Sequence, residues 1–91
     1  MNRRSEARSA PSPTPRQLEV LATIERLRAE LGVAPTFREL GEELGIASNN
    51  GVADHLAALT KHGWLKRIAG SARSLSVTPA GLRWLAPARA A

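Results

Sequence analysis

Residues 35–65, PTFRELGEELGIASNNGVADHLAALTKHGWL, decide how this chain folds. Pro35 forces an extended step, because the residue before a proline is pushed out of helical geometry. Thr36, with Glu39 three places on, forms a capping box in which each side chain satisfies an open backbone donor of the other residue. Leu40 and Leu44 then face inward with Phe37, the only Phe of the chain, and Gly45 ends this short helix while Ile46 plugs the turn. Gly41 inside a helix costs about 1 kcal/mol relative to Ala, and close approach of the next helix explains it. Ser48 is a good N-cap for a third helix over 49–62. At 100° per residue Val52, Leu56 and Leu59 make a narrow inward stripe. Asn50, Asp54, Ala57 and Lys61 lie on the opposite side, with Ala53 beside them. Amides and small residues leave room for close approach, where a helix merely facing water more often carries long charged side chains.

Upstream, Leu18, Leu21, Ile24, Leu27 and Leu31 recur at intervals of three and four, flanked by Val20, which places a core helix over 15–31 with Gly32 as its stop. Residues 1–14, rich in Pro, Ser and Arg, read as a disordered basic arm, either reaching along a phosphate backbone or a dispensable leader. Downstream, Gly63 breaks the third helix. Residues 64–68 and 74–77 read as two strands joined by a turn over 69–73, with Leu65, Ile68, Leu75 and Val77 on the inner side. Two strands alone are marginal, so the hairpin packs on the helices. Thr78-Pro79 starts a short C-terminal helical turn through Leu85, and residues 86–91 read as a frayed tail. The expected fold is mainly α: a winged helix-turn-helix over 15–85, three helices and a two-stranded β-hairpin wing.

At 91 residues the chain builds one compact core. It has no cysteine, which excludes disulfides and thiolate metal sites. No apolar run approaches the roughly 18 residues of a membrane span, and no apolar signal core is visible, so a cytoplasmic protein without a membrane partner is expected. The net charge of +5 is unevenly spread. Residues 1–16 carry +3, residues 17–54 carry −4, and residues 55–91 carry six bases and no acid. An acidic scaffold between basic segments points to a polyanion on one face, with solubilising tails as the plainer reading.

No catalytic constellation is present, so no enzyme, cofactor or metal site is expected. His55 and His62 are seven apart on one helix with no third ligand. Ser48 has no paired base, and Gly70-Ser71 belongs to the hairpin turn.

The segments PRQLEVLATI at 15–24, APTFRELGEELGI at 34–46, SNNGVADHLAALTKHGWL at 48–65 and RSLSV at 73–77 resemble, in combination, the DNA-binding domain of LexA repressors. The resemblance covers roughly residues 14–77 and implies a repressor of the SOS response, two copies binding a short palindromic operator in double-stranded DNA. It assigns base reading to the start of the third helix, at Ser48, Asn49, Asn50, Gly51, Ala53 and Asp54; the helical wheel separately turns Asn50, Ala53 and Asp54 outward. Asn50 suits an adenine and Asp54 a cytosine amino group. Thr36, Arg38, Lys61, Lys66, Arg67 and Arg73 are the expected phosphate contacts, the last two through the wing. The enterobacterial pattern has Pro at the place of Asn49 and an acid at that of Ala53, so operator preference differs here. LexA repressors continue into a self-cleaving, dimerising domain that these residues do not include, and Ala80-Gly81 resembles the family's scissile pair but reads more simply as a helix start. The alternative function is an interaction protein that pairs or competes with another regulator, using Leu82, Trp84 and Leu85 as a dimer or partner contact unless they pack on the first helix.

Overall fold

A computed structural model of the chain describes residues 12–67 and 75–90, the side chains to residue 85. Helix α1 (Pro15–Leu31), helix α2 (Phe37–Leu44) and helix α3 (Asn49–Lys61) precede strands β1 (Leu65–Lys66) and β2 (Ser76–Val77), and helix α4 (Pro79–Ala90) closes the chain. The strands pair antiparallel, Leu65 opposite Val77 and Lys66 opposite Ser76. This is a winged helix-turn-helix arrangement. The basic arm, Ile68 and the hairpin turn with Gly70, Ser71 and Arg73 lie outside the described residues.

Each helix begins where its cap stands. Thr14 exchanges hydrogen bonds with Gln17, one at 3.1 Å into the Thr14 hydroxyl and one at 2.9 Å from its backbone N–H. Thr36 and Glu39 repeat the reciprocal pair on α2, and the Ser48 hydroxyl accepts from the Gly51 N–H at 3.0 Å. Arg16 reaches from α1 to the Leu44 carbonyl at 3.1 Å, satisfying an open acceptor at the end of α2. At the end of α3 the chain reverses through Gly63, whose φ of +79° favours a residue without Cβ.

The core gathers Val20, Leu21, Ile24, Leu40, Val52, Leu56, Leu59 and Leu75, all at most 2% exposed. Burying each such side chain stabilises by about 1.5–3 kcal/mol. Phe37, Ile46, Leu82 and Leu85 pack on its border. Two glycines let α2 and α3 close on Ile46. A Cβ on Gly41 would stand 2.9 Å from the Ile46 carbonyl oxygen, and one on Gly51 would stand 2.9 Å from the Ile46 Cγ2.

Several expectations are corrected. Leu31, placed in the core stripe by periodicity, is 46% exposed, whereas Thr23 is buried because its hydroxyl donates to the Glu19 carbonyl at 2.7 Å. Helix α3 ends at Lys61 with His62 as its cap, one residue early. Helix α4 runs to Ala90, past Pro87 and well beyond the expected Leu85. The strands are shorter than expected, and Trp64, absent from the expected inner set, is 4% exposed. Trp84 stands edge-on to Trp64 at 6.2 Å and is 42% exposed.

Candidate nucleic-acid interface

One side of α3 is fixed before any partner arrives. Val52, Leu56 and Leu59 are buried, and the end of the helix is tied into β1 through the Trp64 N–H, which donates to the Leu59 carbonyl at 3.0 Å. Thr78 extends the tie: its N–H donates to the Trp64 carbonyl, and its hydroxyl donates to the Gly63 carbonyl at 2.6 Å and accepts from the Gly81 N–H at 3.1 Å. Helix α4 thereby lies flush on the segment that leaves α3. A Cβ on Gly81 would fall 2.2 Å from the Trp64 carbonyl oxygen, which places Ala80-Gly81 in a packed helix start.

The opposite side of α3 is open. Ser48, Asn49, Asn50, Asp54, Ala57 and Lys61 are exposed, and Ala53 is half-buried beside them. The outward face read from the helical wheel is the face in water. Gly51 differs from its neighbours: it is half-buried, and the missing Cβ points at Ile46, so packing in the turn accounts for this glycine.

The residues expected at phosphates sit around this face in three ways. Arg38 is nearly free in water, with side-chain exposure of 85% and only a loose 3.6 Å contact to Glu42. It shares with Asn49 the rim of an open depression of about 360 Å³ between α2 and α3, which brings these two groups to one surface. Thr36 is half-buried, its oxygen already accepting from Glu39 N–H, so its hydroxyl proton is what remains for a partner. Lys61 and Lys66 are exposed and join no ion pair among the described residues. Arg67 is exposed too, but its guanidinium carbon sits 5.0 Å above the centre of the Phe37 ring. Such a contact contributes about 0.5–1 kcal/mol at an exposed site.

Two features escaped sequence reading. The Arg67–Phe37 contact joins the hairpin to α2 across thirty residues, and its one signal was alternation: with Lys66 outward, Arg67 falls on the side of Leu65. The ring of His62 lies 4.6 Å from that of Trp64, tilted by 31°; their spacing of two in the expected turn into a strand carried that signal. Among the described residues no three His, Asp or Glu side chains gather where a metal ion can be held, and no helix is long and apolar enough to cross a membrane.

The LexA DNA-binding domain matches residues 12–74, from just before the α1 cap through the hairpin turn. The chain belongs to the LexA DNA-binding domain family. It is 52% identical over 66 residues to the LexA repressor of Anaeromyxobacter sp. (strain Fw109-5), a match covering 72% of this chain and 29% of that protein. The LexA repressor of Myxococcus xanthus (strain DK1622) is 46% identical over 65 residues, covering 71% and 29%. That of Shewanella sediminis (strain HAW-EB3) is 42% identical over 67 residues, covering 74% and 32%. The chain thus matches about a third or less of the length of these relatives, and α4 lies beyond the residues matched to the family.

Proposed function

We propose that this LexA-family domain binds double-stranded DNA sequence-specifically and represses transcription by occupying a palindromic operator, two copies per site. One observation carries the reading: Asn49, Asn50 and Asp54 stand exposed on a helix whose other side is buried to within 1% at Val52, Leu56 and Leu59. A helix held that firmly presents its outer face as a rigid surface of the width a major groove admits. Asn50 pairs with an adenine edge through its amide, and Asp54 accepts from a cytosine amino group. Ser48, Asn49, Gly51 and Ala53 line the same approach. Thr36, Arg38, Lys61, Lys66 and Arg67 fix the register on phosphates, with Arg73 of the wing assigned there from the sequence; these contacts position and carry no base information. The LexA-type setting makes genes of the SOS response the first operators to test.

Selection of bound duplexes from random DNA tests this. The expected result is an inverted repeat whose half-sites lie about one helical turn, roughly 10 bp, or a multiple of it apart. Enrichment of a single unrepeated half-site overturns the paired arrangement. No enrichment over random DNA overturns base reading.

A further inference from the structure

We infer that Phe37 is a positioning residue for Arg67, its ring seating the guanidinium at the base of the wing so that the N–H edges stay available to a DNA phosphate. The inference rests on the DNA-binding reading above and deepens it. Phe37 is the first residue of α2, half-buried and packed against the core, so its ring is held by the fold. Arg67 follows directly on β1 and lays its guanidinium over that ring at 5.0 Å. A guanidinium that lies flat over a ring uses only its face, because its five N–H donors all lie in its plane and point out at the edge. Arg67 is exposed and makes no ion pair among the described residues, so none of their carboxylates occupies that edge.

A free arginine on a surface must surrender rotamer freedom to grip a phosphate; one already seated surrenders less, and its planar fork suits two phosphate oxygens. Lys66, the preceding residue, is exposed with no ring contact of this kind among the described residues. Phe37 therefore strengthens DNA binding without touching DNA, and does so equally on every sequence, because phosphates are the same everywhere.

The test titrates Phe37→Leu, Phe37→Tyr, Arg67→Ala and the Phe37→Leu/Arg67→Ala double variant on preferred and random duplexes over a range of salt. Arg67→Ala weakens both duplexes and lowers the slope of log affinity against log salt by about 0.9. Phe37→Leu keeps an apolar side chain on the core and removes the ring face. It weakens both duplexes by about two- to five-fold and leaves the salt slope intact, because the phosphate contact survives but is less prepared. The double variant binds no worse than Arg67→Ala alone, and Phe37→Tyr, which keeps a ring face, binds as the unmodified chain does. In the free protein the Arg67 side-chain protons carry a ring-current shift that Phe37→Leu abolishes. Wild-type affinity in Phe37→Leu, independent addition in the double variant, or failure of Phe37→Tyr to restore binding each overturns the inference while DNA reading stands. A chain that binds no duplex at all overturns both.

Discussion

Helices α1 and α3 both put polar side chains into water, and they treat them in opposite ways. On α1 the charges settle among themselves. Arg16 pairs with Glu19 at 2.8 Å, Arg28 with Glu25 at 4.0 Å, and Arg26 with both Glu30 of its own helix and Glu43 of α2. The hydrogen bonds that Arg26 donates to the carboxylates of Glu43 and then Glu30 raise its pKa above the ordinary arginine value. On α3 and β1, Asp54, Lys61 and Lys66 are exposed and make no ion pair among the described residues. Exposed pairs contribute little to folding, so the difference is not one of stability. A surface that has neutralised itself offers a polyanion little, whereas unpaired cations beside amides can neutralise phosphates and so release the counterions condensed on a nucleic acid. The division separates a self-paired scaffold side from an open side, the proposed reading side, within one small core.

Substitutions on the two sides should therefore fail in different assays. The largest effect on the scaffold is expected at Gly81. A Cβ there would meet the Trp64 carbonyl oxygen at 2.2 Å and the Val77 Cγ1 at 2.8 Å, and a backbone oxygen bonded to the Thr78 N–H cannot step aside cheaply. Gly81→Ala should cost about 1–3 kcal/mol in chemical denaturation, despite the better helix propensity of Ala, and leave the preferred DNA site unchanged. Unaltered stability would show that α4 does not clamp the exit of α3. On the reading side, Asn50→Ala should cost about 1–3 kcal/mol of binding on the preferred duplex and much less on random DNA. Its stability should change by no more than about 0.5 kcal/mol, as for most surface positions. Equal weakening on both duplexes would remove Asn50 from base reading and blur the division.

How much of this was legible beforehand follows from the range of the forces involved. The caps at Thr36 and Ser48 and the stop at Gly45 act within four residues, so their positions in the chain nearly coincide with their positions in the fold. The outward face of α3 was legible for the same reason, since helical period is local. Leu31 was misread because periodicity says which side a residue takes but not whether another element reaches it. Thr23 shows the converse, a polar residue made burial-compatible by a bond to its own helix. The seat of Arg67 on Phe37 and the seam between Gly81 and Trp64 join residues far apart in the chain, and they become visible only when helices and hairpin are packed. Both belong to the part that positions α3, which is where sequence reading was thinnest.

The smallest expected effect is the sharpest check on the comparison. Arg26→Gln removes the centre of the α1–α2 charge cluster, where Arg26 stands between Glu30 and Glu43 with its side chain 48% exposed. Its thermal midpoint should fall slightly at low salt and match the unmodified chain in 1 M salt, where screening acts over about 3 Å. Because this guanidinium is satisfied within the protein, the slope of log affinity against log salt should stay as it was. Removing a true phosphate contact lowers that slope by about 0.9. A flattened slope in Arg26→Gln would mean that DNA displaces the glutamates and draws α1 into the interface, and the self-neutralised side would then be a second binding surface held in reserve by its own acids.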